Sequence, residues 1–243
     1  MSSYVTLAEY YDALTENADY KVRSDYISNF FSKFGEGELT LLDLACGTGS
    51  ISQHMAQKGY EIIGIDLSDD MLVQANSKGI ENSLFVKGDM KSFELPCKVN
   101  YCVSSLDSIN HLNDIDEVRS CFECVYSAMN ENGIFVFDVN TLYKNEFILG
   151  NNTFVYDEDD YFLSWDNEYS GDGTVNIFLD FFIFNGKSYD RYSENFKEKA
   201  YDINKLSDLL ISTGFEIIGI YDELTEEAPK ENSHRLYFVC KRK

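Results

Sequence analysis

The stretch LLDLACGTGSISQHM, residues 41–55, decides the fold. Apolar residues broken by one carboxylate, Asp43, are followed by a glycine-containing loop and then by Ile51 and Met55, one helical turn apart. That order reads as strand, loop, helix, with Gly59 as the stop. The pattern recurs downstream. YEIIGID (60–66) reads as a strand, Ser68 as an N-cap and 69–78 as a helix closed by Gly79. Further strands are predicted at 83–87 and 99–105, a helix over 114–130, and a fifth strand at GIFVFDV. Strands alternating with helices imply parallel βαβ units with helices on both faces of one sheet.

After Asn140 the rhythm changes. Residues 153–200 show no helical period, only aromatic-rich extended runs between turns at Ser170-Gly-Asp-Gly173 and Asn185-Gly186, the second a strong hairpin signal. The helical period resumes at 202–212, and FEIIGIYD and RLYFVC supply two last strands. The expected fold is α/β: a Rossmann-like, doubly wound, mostly parallel seven-stranded sheet with an antiparallel β insertion after the fifth strand. The divisions are 1–142 for the N-terminal helices and cofactor core, 143–200 for the insertion, and 201–243 for the remainder of the core.

Composition narrows the function. The 243 residues suit one large domain or one with an insertion. A net charge of -22 repels phosphate backbones and anionic membranes, and the 20 Lys and Arg form no dense cluster along the sequence, so nucleic acid is disfavoured as a partner. The start, MSSYVTLAEYYDAL, has neither a basic nor an apolar leader region, and the longest greasy stretch, 175–184, carries Asn176 and Asp180. The expectation is a cytoplasmic protein with no membrane span. The six cysteines are irregularly spaced; Cys121 and Cys124 make a CxxC inside a predicted helix with no second pair, so the thiols are read as reduced and no metal is expected.

A glycine-rich turn after the first strand lets a ligand approach the backbone at a helix N-terminus. Asp66 ends the second strand nineteen residues after Gly47, the spacing at which an acid bonds the ribose hydroxyls of an adenosine. Ser52 takes the place of the third glycine of a dinucleotide fingerprint, and Asp43 would repel a pyrophosphate. An acid there suits a cationic ligand, and S-adenosylmethionine carries a sulfonium and an ammonium.

DLACGTG, 43–49, resembles motif I of the class I S-adenosylmethionine-dependent methyltransferases. The resemblance implies that Asp43 faces the methionine end, that Ala45, Cys46, Gly47 and Gly49 line the cofactor, that Asp66 holds the ribose, and that Leu67 and Met71 pack on the adenine. It further implies that Asp89, with the Met90 backbone, meets the adenine amino group, and that Ser105 and Leu106 touch the cofactor from the loop after the fourth strand. Within the family the pattern is most similar to glycine N-methyltransferase and the amino-sugar N-methyltransferases, through ADYK (18–21), DLACGTG, Ser108-x-x-His111-Leu112 and a β insertion after the fifth strand. Tyr11 and Tyr20 resemble N-terminal residues that fold over the cofactor, and Arg23 is offered for the arginine that binds the cofactor carboxylate in the glycine enzyme.

The expected activity is methyl transfer to a small-molecule acceptor, an amine nitrogen favoured over oxygen, by a monomer or homodimer. His111 and Tyr11 are the candidate catalytic residues, since an amine must attack unprotonated and His111 can accept a proton or orient it; an anchoring role for His111 weighs equally. His54 and His234 are read as structural. The insertion, with Tyr156, Asp157, Glu158, Tyr161, Trp165 and Tyr169, is read as a substrate cap, a core element or an oligomer surface. Other readings are a tRNA or macromolecule methyltransferase, a nicotinamide-dependent oxidoreductase and a non-catalytic cofactor-binding module.

Overall fold

The computed structural model describes residues 5–15, 18–159 and 161–243. Two N-terminal helices, α1 (Val5–Leu14) and α2 (Tyr20–Phe34), precede the alternating core. The core runs β1 (Thr40–Leu44), α3 (Ser50–Ala56), β2 (Glu61–Asp66), α4 (Asp69–Ser77), β3 (Ser83–Lys87), β4 (Val99–Ser104), α5 (Ile115–Ala128) and β5 (Met129–Asn140). The insertion comprises β6 (Thr153–Asp157), β7 (Tyr161–Tyr169), β8 (Thr174–Phe184) and β9 (Tyr189–Lys199). Then α6 (Ile203–Thr213), β10 (Phe215–Asp222) and β11 (Arg235–Arg242) complete the core.

The seven-stranded sheet has the order β10-β11-β5-β4-β1-β2-β3, parallel except where β11 pairs antiparallel with β5 and β10. Strand order reverses between β1 and β4, which opens a crevice at their carboxyl ends. The insertion is a separate four-stranded antiparallel sheet in the order β6-β7-β8-β9.

Apolar periodicity explains the layers. Ile27, Phe30 and Phe31 of α2 join Ile51 and Met55 of α3 on one face of the main sheet. Val118, Phe122 and Val125 of α5 join Leu206 and Leu210 of α6 on the other. A third apolar cluster ties Leu163, Ile177 and Phe181 of the insertion to Ala8 of α1 and Met71 of α4. Caps agree with the predicted boundaries: Ser68 accepts from Met71 N at 3.3 Å, and Asp202 accepts from Asn204 N at 2.9 Å.

Two local expectations change. The helix predicted over 114–130 stops at Ala128, and β5 begins at Met129, because Asn132 adopts a left-handed conformation (φ 64°) and the β4–β5 register shifts there. Between β5 and β6, where no element was predicted, Lys144–Leu149 forms a π-helical turn.

Candidate active site

A cavity of about 850 Å³ opens at the carboxyl ends of the central strands. Gly47 sits on its wall with φ 54°, and a Cβ built there would meet nothing within 4 Å. Its amide donates to Asp66 Oδ2 at 2.8 Å, and Ser68 N donates to Asp66 Oδ1 at 2.9 Å. Burial raises the Asp66 carboxyl and these amides oppose the shift. Ala45, also left-handed at φ 58°, lines the same wall.

Gly49 differs. It was expected to bare its backbone to a ligand, but it lines no part of the cavity and caps α3 at φ 75°. A Cβ there would lie 3.2 Å from both Ala75 Cβ and the Phe85 ring, so this glycine serves close helix packing. Asp43, Cys46, Tyr20 and Ser105 line a small adjoining crevice that they share with Tyr11, Ala45, Gly47 and Leu106. The Asp43 carboxylate is buried and accepts from Ser52 Oγ at 2.5 Å, so the residue in place of a third glycine holds this acid. Burial, with Asp66 adding, pushes Asp43 up to about 6.

Leu67 stands 63% exposed at this end of the cavity, an apolar side chain left uncovered, while Met71 is buried beside it. Asp89 accepts from Lys91 N at 2.9 Å, and it and Met90 line the wall. The N-terminal helix closes over the glycine loop through a residue the sequence reading passed over. Asp12 accepts from Thr48 Oγ1 at 2.5 Å and Ser50 Oγ at 2.9 Å and pairs with Lys78 at 2.6 Å. That latch carries Tyr11 to the cavity. Burial, with Tyr20, Asp107 and Asp66 adding, drives the Tyr11 phenol well above its usual range, so it stays protonated.

The far end is built around Asp138, fully buried on β5. It accepts from Ser105 Oγ and Leu106 N at 2.9 Å each, from Asp107 N at 2.8 Å, and from Arg235. Leu106 and Asp107 are both left-handed, a conformation costing non-glycine residues about 1–3 kcal/mol each, and the Asp138 carboxylate holds them there. Arg235 also pairs with Asp107 at 2.6 Å and Glu223 at 3.5 Å. Arg23, offered for a cofactor carboxylate, lines the cavity and bonds Ala18 O at 2.6 Å, Tyr237 OH at 2.7 Å and Glu223 at 2.6 Å. Cations scattered along the sequence therefore meet in space.

His111 follows in a short 3₁₀ turn, Ser108–His111, and its ring lies 5.4 Å from that of Phe196 on β9. Asn110 pins this turn to the insertion: it donates to Asn140 O at 3.2 Å and Lys199 O at 2.9 Å and accepts from Asn140 N at 2.8 Å. Desolvation by the surrounding groups lowers the His111 pKa, against Asp107 and Asp66, while the side chain stays exposed on the cavity side. Glu198, on β9, is 5% exposed and accepts from Asn140 Nδ2 at 3.0 Å. Burial and then Asp107 push its carboxyl up to about 8. Burial would also raise Asp107, but Arg235, Lys144 and His111 outweigh it and hold that carboxyl far below its usual range.

Donor atoms of Asp107, His111 and Glu198 lie within 4.8 Å of one another, a spacing a metal ion would accept. Arg235 beside Asp107, and Lys144, already place positive charge there, which offsets the carboxylate charge such an ion would need. Of the insertion residues singled out above, Tyr156 and Trp165 line the cavity and Tyr161 joins the apolar cluster, whereas Asp157, Glu158 and Tyr169 stay off its wall. His54 and His234 also lie outside it.

The methyltransferase domain model matches residues 41–133. YqeM of Bacillus subtilis (strain 168) is 30% identical over 244 residues, covering 98% of this chain and 97% of that protein. An S-adenosylmethionine-dependent methyltransferase from Clostridium acetobutylicum superposes with a TM-score of 0.88 at 30% identity, covering 99% of each chain. The dTDP-3-amino-3,4,6-trideoxy-alpha-D-glucopyranose N,N-dimethyltransferase of Streptomyces venezuelae is 28% identical over 131 residues, 53% of this chain and 55% of that enzyme. With this fold, this glycine loop and these relatives, the chain belongs to the class I S-adenosylmethionine-dependent methyltransferases, and S-adenosylmethionine is its cofactor.

Proposed function

We propose that this enzyme methylates the nitrogen of a small-molecule amine. The observation that carries the reading is the placing of His111: its ring is open to the same cavity that Asp66 lines, and it has Asp107 and Glu198 beside it. An amine reaches the site as an ammonium at neutral pH and must lose a proton before it attacks. The ionised Asp107 attracts the ammonium, the protonated Glu198 offers a carbonyl oxygen to its N–H, and the imidazole of His111 accepts its proton. The N,N-dimethyltransferase relative, whose name gives an amino sugar as substrate, and the net charge of -22, which disfavours a nucleic-acid acceptor, support the same reading.

The glycine-loop end fits an adenosine. Asp66 has its carboxylate fixed by two amides and faces the cavity, in place for ribose hydroxyls; Leu67 and Met71 offer apolar contact to adenine, and Asp89 with Met90 is placed for its amino group. Backbone at Ala45, Cys46 and Gly47, with Tyr11, Tyr20, Ser105 and Leu106, encloses the methionine part. Asp43 acts through the charge of the crevice it shares with them. Bound S-adenosylmethionine supplies an already activated methyl electrophile. The protein's part is to align the acceptor in line with it, a contribution that can reach about 7–11 kcal/mol. Tyr11, held protonated, donates a hydrogen bond and takes no proton.

Titration with S-adenosylhomocysteine, repeated on Asp66→Ala and His111→Ala, tests the division of labour. Asp66→Ala should weaken binding about tenfold or more, the loss of a charge-assisted hydrogen bond. His111→Ala should bind as the parent does but slow transfer to amines by about 10²-fold. Absence of binding by the parent, or undiminished transfer by His111→Ala, refutes the assignment.

A further inference from the structure

Lys144 is a cation that the reaction outlined above does not use. It opens the π-helical turn at the start of the insertion and lines the cavity. Its amide donates to Thr141 Oγ1 at 3.0 Å, and Thr141 Oγ1 in turn donates to Ser233 O at 2.6 Å, so the turn is fixed to the core before any ligand arrives. π-Turns of this kind concentrate at functional sites, where the extra residue re-aims a side chain.

The two arginines of this wall are already engaged. Arg235 divides its nitrogens among Asp138, Asp107 and Glu223, and Arg23 among Ala18 O, Tyr237 and Glu223. Lys144 has three N–H donors and makes one hydrogen bond, from Nζ to Asn140 Oδ1 at 2.8 Å. Among the described residues it forms no ion pair within 4.0 Å. Burial, with Arg235 nearby, lowers its pKa, against Asp107, Glu198 and Glu223, which is the mark of an ammonium short of a close anion.

Asn140 explains the spacing. Its Nδ2 donates to Glu198 Oε2 at 3.0 Å while its Oδ1 accepts from Lys144, so one amide separates a carboxyl from an ammonium on one wall of the cavity. A lysine serving only to neutralise Glu198 would contact it directly. Interposing the amide leaves both groups turned to a ligand, the carboxyl toward a positive group and the ammonium toward a negative one.

We infer that the acceptor is a zwitterion, with an oxyanion a few bonds from the methylated nitrogen, and that Lys144 binds that oxyanion while Glu198, Asp107 and His111 receive the nitrogen. This rests on the amine reading given above. The oxyanion is a carboxylate or a phosphate. Both present negative oxygens to an ammonium, which acts as a point charge and imposes no planar geometry.

The test uses the full-length protein saturated with S-adenosylhomocysteine and titrated with 3-aminopropanoate, 2-aminoethyl phosphate and propylamine. At least one zwitterion should bind about tenfold or more tightly than propylamine. The stronger of the two identifies carboxylate or phosphate as the anion. Lys144→Met should erase the preference and Lys144→Arg should keep most of it, with the S-adenosylhomocysteine isotherm of each variant reporting that it is folded. Equal binding of propylamine and both zwitterions, no binding of any probe, or a preference that survives in Lys144→Met overturns the inference. Failure of the amine reading shows separately, as transfer confined to hydroxyl acceptors.

Discussion

The glycine-loop end of the cavity and its far end do neighbouring jobs with different materials. At the first, Ala45, Gly47 and Asp89 follow strands of the βαβ core and Asp66 ends one, and Asp66 and Asp89 are held by nearby backbone amides, such as Gly47 N to Asp66 at 2.8 Å. At the second, Arg23 bonds Tyr237, 214 positions away, and Arg235 bonds Asp107, 128 positions away. An end made of independent local contacts loses them one at a time. An end made of shared buried ion pairs fails as a unit, because removing one partner strands the charges of the others.

The sharpest way to break this contrast is to compare Arg235→Met with Asp89→Ala in urea unfolding. Arg235→Met leaves Asp138 and Asp107 buried without their cation and should cost about 3–5 kcal/mol. Asp89 has a third of its side chain exposed and pairs with Lys91 only at 3.7 Å, so Asp89→Ala should cost under about 1 kcal/mol while lowering cofactor affinity. Comparable losses would mean that the two ends are coupled.

Titration separates the ends next. Glu198 is pushed up to about 8, against about 4.3 for a free glutamate, so between those values the folded state keeps a proton that the unfolded chain has released. Its contribution to stability is therefore fully present below about pH 4 and is lost as pH rises toward 8. Asp43, pushed up to about 6, slopes in the same direction but has finished by about pH 7, leaving the interval from 7 to 8 to Glu198. Asp107, held low by Arg235 and Lys144, has the opposite sign and loses its contribution as pH falls below about 4. Urea midpoints measured from pH 7 to 8 should fall for the parent and stay level for Glu198→Gln. A parent curve that is flat over this interval would remove Glu198 as a buried acid.

The smallest effect sharpens the comparison from the other side. Ala45 is left-handed at φ 58° with no buried carboxylate holding its amide in the way Asp138 holds Leu106 and Asp107. Ala45→Gly relieves that strain but loosens the unfolded chain, so thermal unfolding should show a gain of no more than about 1 kcal/mol. A marked loss would show that the methyl group itself packs against something the loop needs.

Gly47 and Asp66 were legible in the sequence because each lies at a fixed offset from a strand end. Asp66 follows EIIGI, Gly47 follows LLDL, and both take the places that periodicity gives them. A helix-capping glycine and a ligand-facing one have the same letter, so the packing of Gly49 against Ala75 and Phe85 could not be read from the sequence. Asp12, Asp138, Arg235 and Asn110 were passed over because nothing in their neighbours' spacing marks them. Asp138 reads as one polar break in an apolar strand until β11 is laid beside it and Tyr237 pairs in register with it.

By itself, then, the sequence determined the alternation of strands and helices, the break to an antiparallel insertion and the glycine loop after the first strand, since these follow from periods of 2 and 3.6 residues and from turn chemistry acting over a few positions. The tertiary structure alone decided which charges face one another across the cavity. It brought Arg23, Asp107, Lys144, Glu198 and Arg235 from separate segments to one wall. Their protonation follows from burial and from distances of a few ångströms, quantities that exist only once the chain has closed on itself.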